Sequence, residues 1–247
     1  RTFENRGSAN WTSSEGYYSY LWLSNGGVFN NLAGASFTDQ RNTVSGYSGS
    51  IADYGGAGGF HNQGTFVKSG SSDLSVSVPF SNTGTVSVQS GRMSVAGGTS
   101  SGAFSVATGS TLGLTGDHTF SSGTSFSGAG TLEISNGTNS FASGVAFANA
   151  GGLRMTGGTG NFGPNNLTRS RLEMTGGELA GSGTVTVTGA LTFTDGTMKG
   201  PGKTVSLGTL ALNGSGPHLD GRTFENRGSA NWTNSGDYPI YLWLSNG

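Results

Sequence analysis

Residues 1–26 and 222–247 are one sequence written twice. RTFENRGSANWTSSEGYYSYLWLSNG returns as RTFENRGSANWTNSGDYPIYLWLSNG, identical at 21 of 26 positions and displaced by 221 residues. Self-similarity on that scale argues against a chain closed around one globular core. It points to an array in which each unit meets only its neighbours. The expected organisation is one full long repeat over 1–221 and the start of the next over 222–247, within a parent chain that continues both ways.

A shorter, degenerate period lies inside the long one. Phe-x-Asn-x-Gly occurs at Phe3-Asn5, Phe60-Asn62, Phe80-Asn82, Phe147-Asn149 and Phe224-Asn226, with a stretched form, FNNLAGASF, from Phe29. Gly-Thr followed by alternating apolar residues recurs at Gly64, Gly84, Gly130 and Gly183. Thr65 to Thr85, Thr111 to Thr131 and Val185 to Val205 are each 20 residues apart, whereas Thr85 to Thr111 is 26, read as an insertion. Runs such as Thr184-Val185-Thr186-Val187 alternate apolar with polar residues, the period-2 mark of a half-buried strand, and glycines punctuate them. No window carries a helical stripe. The expectation is an all-β parallel β-solenoid with coils of about 20 residues. Inward Val, Leu, Ile and Phe would fill a narrow core. The Asn side chains would form stacked amide ladders, with the Phe two residues earlier in the core.

Composition enters as a set of exclusions. Glycine is abundant, at 47 residues, but aromatics are 10% of the chain and sit inside the alternating patterns, which argues against disorder. A net charge of −1 gives no electrostatic reason to expect nucleic acid or an anionic membrane as partner. No apolar run is long enough for a transmembrane helix. The absence of Cys removes disulfides, thiol nucleophiles and Cys-based metal sites.

The block GSGTVTVTGALTFTDGTMKGPGKTVSLGTLALNG (181–214), followed by LDGRTFENRGSANWT (219–233), resembles the β-strand repeats of giant bacterial surface proteins. It is similar to the β-helical passengers of autotransporter and filamentous-haemagglutinin-type adhesins. That resemblance implies a right-handed coil and an exported, extracellular or cell-surface protein.

Parallel β-helices also carry polysaccharide-cleaving sites, which need converging carboxylates. The acidic residues here are dispersed. Glu133, Arg154 and Glu173 occupy matching positions in GTLEI, GLRMT and RLEMT, and read as a solvated cross-coil charge ladder. His61, His118 and His218 share no metal spacing and read as surface or turn residues. GGAGG (55–59) lacks the Gly-Lys-Ser/Thr and helix of a phosphate loop. Neither a catalytic constellation nor a cofactor or metal site is expected, and the chain is not read as an enzyme.

The interaction candidates are aromatic. Tyr18, Tyr20 and Trp22 fall on one strand face, recur as Tyr241 and Trp243, and have Tyr17 and Tyr238 as neighbours. Such a strip can pack against another rod or at a repeat junction, or it can bind a glycan. Residues 38–59 read as an inserted loop. The expected function is a structural module of an extracellular fibre, sheath or matrix, with neighbouring copies of the repeat as partners. An adhesin stalk that binds a surface glycan is the alternative, and a polysaccharide-processing enzyme the weaker one.

Overall fold

The short alternating strands form, and they stack. The computed structural model describes residues 1–13, 18–42, 48–148, 150–233 and 241–246. Among these residues there is no helix, and every pairing between strands is parallel. The protein is a β-solenoid. Each turn supplies three strands and so three faces. In one turn, Gly59–Asn62 lies on the first face, Thr65–Lys68 on the second and Leu74–Val76 on the third. Phe80–Asn82 then returns to the first face, directly over Gly59–Asn62.

Strands of three or four residues are untenable alone. Here each donates and accepts ladder bonds with the coil before and the coil after, so the backbone is satisfied along the stack. Alternation then aims every second side chain inward. On the third face Leu74, Met93, Leu112, Leu132, Leu153, Leu172, Leu191 and Leu210 form one continuous buried column. Each such burial contributes roughly 1.5–3 kcal/mol. The corners are tight enough to demand glycine: a Cβ at Gly84 would sit 2.1 Å from the carbonyl oxygen of Gly64 in the previous coil.

The Phe-x-Asn motif is both a core and a ladder. Phe3, Phe29, Phe60 and Phe80 stand in one column of the first face, and Asn5, Asn31, Asn62 and Asn82 in another. Each Asn Nδ2 donates to the next Oδ1, at 2.8 Å from Asn5 to Asn31, 2.7 Å to Asn62 and 2.8 Å to Asn82. The same nitrogens also donate to the carbonyls of Ser36, Thr65 and Thr85 at the next corner. Beyond Asn82 the two columns exchange character. The pair becomes Gly98 and Ser100, then His118 and Phe120, then Asn139 and Phe141. Phe120, Phe141 and Phe162 stack at 4.7 and 4.6 Å with nearly parallel planes. The bulky ring moves two residues along while the coil keeps a comparable volume of core.

Several expectations need correction. Phe60 and Phe80 are fully buried, but Phe3, on the first coil, is 57% exposed. Phe147 belongs to the second face, stacked on Phe126 at 5.3 Å, so it is not equivalent to Phe60. Its partner Asn149 lies outside the described residues. Thr85 and Thr111 sit on different faces: Thr85 pairs with Ala103 and Thr111 with Arg92. The 26-residue spacing is therefore a step to the neighbouring face, not an insertion. Val205 pairs with Thr186, and Thr204 takes the column of Val185. The segment 38–59 is not one loop, since it contains the end of Ser36–Asp39 and all of Gly49–Ala52. In the later turns neighbouring strands fuse round the corners into Leu167–Ala180, Thr184–Lys199 and Thr209–Asp220, with register shifts at the bends.

The long repeat is out of phase with the coil. Thr2–Asn5 lies on the first face, but its copy Thr223–Asn226 stacks on Lys203–Ser206 and 184–187, on the second. Ser8–Trp11 lies on the second face, and its copy Ser229–Trp232 stacks on 209–212, on the third. Trp22 ends a strand of the third face, and Trp243 begins one that stacks on 218–220, on the first. All three copied strands have moved on by one face. Asn226, expected in the amide ladder, is consequently exposed and donates to the Gly228 carbonyl at 3.0 Å. Phe224 is only partly buried, over Thr204.

Candidate functional site

The aromatic strip crosses the third face at its first strand. Ser19–Trp22 alternates so that Leu21 points into the core while Tyr20 and Trp22 point out. Tyr18, Tyr20 and Trp22 are 55%, 49% and 51% exposed. The rings stack on one another: Tyr18 on Tyr20 at 6.3 Å, and Tyr20 on Trp22 at 5.0 Å with planes 17° apart. Tyr54, which the sequence reading left within its loop, closes the row by meeting Trp22 edge-on at 6.3 Å. The faces of the inner rings are thus covered by their neighbours, and the edges face solvent. The copy keeps the pair, Tyr241 and Trp243 at 5.6 Å, on a different face of the solenoid. Tyr17 and Tyr238 lie outside the described residues.

The charge ladder is real but not fully solvated. Glu133, Arg154 and Glu173 occupy successive coils in register. Arg154 lies 3.5 Å from Glu133 and 3.8 Å from Glu173, and Arg171 reaches Glu173 at 2.8 Å. Arg92 crosses the intervening Gly113 to bind Glu133 at 2.7 Å, and Glu133 is buried. A Cβ at Gly113 would stand 2.5 Å from the Arg92 guanidinium, so that glycine makes the reach possible. The two carboxylates are separated by an arginine, and the hollow beside them is about 120 Å³. Both carboxylates are engaged by arginines.

Several buried charged groups escaped the sequence reading, Arg169 over the Phe147 ring among them, and two sites stand out. Asp39 and Arg41 form a fully buried ion pair at 2.7 and 2.8 Å, with the guanidinium 4.0 Å over the Trp11 ring. Lys68, also buried, donates to the carbonyls of Gly70 and Ser90. Burial pushes its pKa down, the Asp39 charge opposing and the Arg41 charge reinforcing that shift. The only available signal was alternation, which puts Asp39 and Lys68 on the inward phase of their strands. The second group is Arg222, the first residue of the second copy. It donates to Thr204 Oγ1 at 2.8 Å and to the carbonyls of Gly181, Gly183 and Lys203 at 2.9–3.1 Å. Burial lowers its pKa to about 10.

One histidine differs from expectation. His61 is exposed, but His118 is buried in the core column, 2.9 Å from Ser100 Oγ and stacked on Phe120 at 4.3 Å. Desolvation holds its pKa down at about 4. His218 lies within a strand. Among the described residues, no three His, Cys, Asp or Glu side chains converge as a metal site, and no helix is long and apolar enough to cross a membrane.

No family model matches the chain, and neither curated proteins nor solved structures do. The residues themselves therefore carry the functional reading.

Proposed function

We propose that this chain is a structural repeat module of an extracellular or cell-surface bacterial fibre, sheath or matrix. It would act through rigidity and through association with further copies of itself. The observation that carries the reading is the return of the Arg1–Gly26 sequence 221 residues later on a ladder that continues through it. Length in such a rod grows with copy number while every unit keeps the same neighbours. The resemblance to bacterial surface-protein repeats supports export and a cell-surface location.

Glycan adhesion through the exposed aromatics is the competing reading. A sugar ring needs an open aromatic face, and Tyr20 and Trp22 cover each other's. That geometry favours packing between rods. Electron microscopy of the purified chain across a concentration series tests the proposal. Filaments or laterally ordered bundles are expected. Dispersed single rods at every concentration, with retention on a glycan surface, would replace it with the adhesin reading.

A further inference from the structure

The third face carries two unlike surfaces in succession. Its first strand raises the aromatic step just described. Below Tyr20 the same outward column continues as Ser50, Ser75 and Ser94, small side chains on three consecutive coils, and at Gly113 the Arg92 guanidinium lies over the column. At about 4.8 Å per coil this is a bed roughly 15 Å deep, and it ends where Arg92 reaches across Gly113 to Glu133. The three serine positions carry no charge, and the Arg92 side chain marks the lower edge of the bed.

A step and a bed on one face are what a twofold contact requires. Such an interface uses the same patch on both partners, each half complementary to the other. Laid antiparallel, one chain's ring edges meet the other's serines, and the reverse holds at the far end of the contact. The rings' covered faces then cost nothing, since the edges make the contact.

We propose that this face is the seat of a second copy of the chain, bound antiparallel. Each Tyr18–Tyr20–Trp22 step rests on the other's Ser50–Ser75–Ser94 bed. The proposal rests on the self-association reading above and gives it a surface. Three half-exposed aromatics on each side make a small interface, so the pairing belongs with weak, concentration-dependent contacts.

Sedimentation equilibrium of the whole chain tests it, with circular dichroism to confirm that each variant keeps its strands. Wild type is expected to show a monomer–dimer equilibrium. Tyr20→Ser with Trp22→Ser should raise Kd at least ten-fold, and so should Ser75→Lys, which fills the bed and leaves the rings untouched. If wild type associates and Ser75→Lys associates equally well, the seat is wrong while self-association stands. A wild-type chain that stays monomeric at all concentrations overturns both. If it stays monomeric but the ring variants lose retention on a neutral polysaccharide, the step is a glycan surface.

Discussion

At the residue scale, the amide ladder makes asparagine costly to replace over the four coils from Asn5 to Asn82. Asn62 accepts from Asn31 and donates to Asn82 and to the Thr85 carbonyl, wholly out of water. Asn62→Ala removes these bonds and leaves one Asn31 amide hydrogen and the Asn82 Oδ1 unpaired, so a loss of about 2–4 kcal/mol is expected in urea unfolding. Asn226→Ala, at an exposed site, should change stability by less than about 0.5 kcal/mol. His118 gives a pH dependence whose sign follows from its burial. The folded pKa, about 4, lies below the ordinary 6.5, so the unfolded chain binds the proton first. The stabilising contribution is complete above pH 6.5 and is lost as the pH falls toward 4, about 3 kcal/mol in all. Urea midpoints should drop between pH 7 and pH 4.5, and His118→Gln should flatten that part of the drop.

At the element scale, the sequence disclosed which segments are strands better than it disclosed where each one sits. Alternation in Thr184–Val187 or Thr131–Ile134 marks a strand whatever its face, because inward and outward side chains differ in the same way on all three. Face assignment needs the corner geometry, and a corner can be crossed in a few residues or in many. Hence Thr111 was aligned with Thr85, and Phe147 with Phe80, although each pair lies on different faces. The aromatic strip was legible, since Tyr20 and Trp22 share a strand phase. Tyr54 was not, because it reaches Trp22 from the next coil. Arg222 was invisible for the same reason, its four acceptors lying 18–41 residues away. That arginine ties the opening of the second copy to the last turns of the first. Arg222→Ala leaves buried carbonyls unpaired and should cost about 3 kcal/mol. Arg222→Lys should not restore it, since a point ammonium cannot span the same acceptors. Hydrogen exchange is the suitable probe: the amides of 223–232 should lose protection in both variants while those of 111–134 keep theirs.

At the scale of the whole molecule, the one-face advance decides how a rod of such repeats meets its surroundings. Were the period a whole number of turns, every aromatic step would look the same way and rods would pair along a single edge. An advance of one face turns each successive step by a third of a turn, roughly 50 Å further along the axis. Seats then point in three directions in rotation, which suits a bundle or sheath better than a two-rod ribbon. The phase can be checked without reference to association, because the chain has no cysteine of its own. Lys203 and Thr223 are register partners in the observed phase. A repeat in step with the coil would instead set Thr223 beside Thr197. Cysteines across adjacent parallel strands fall within disulfide reach, and those on different faces do not. Lys203→Cys with Thr223→Cys should therefore oxidise readily to an intramolecular disulfide, seen as a mobility shift that reductant reverses. Thr197→Cys with Thr223→Cys should remain reduced. The opposite pattern would put both copies of the sequence on the same face, and steps along a rod would then align on one side.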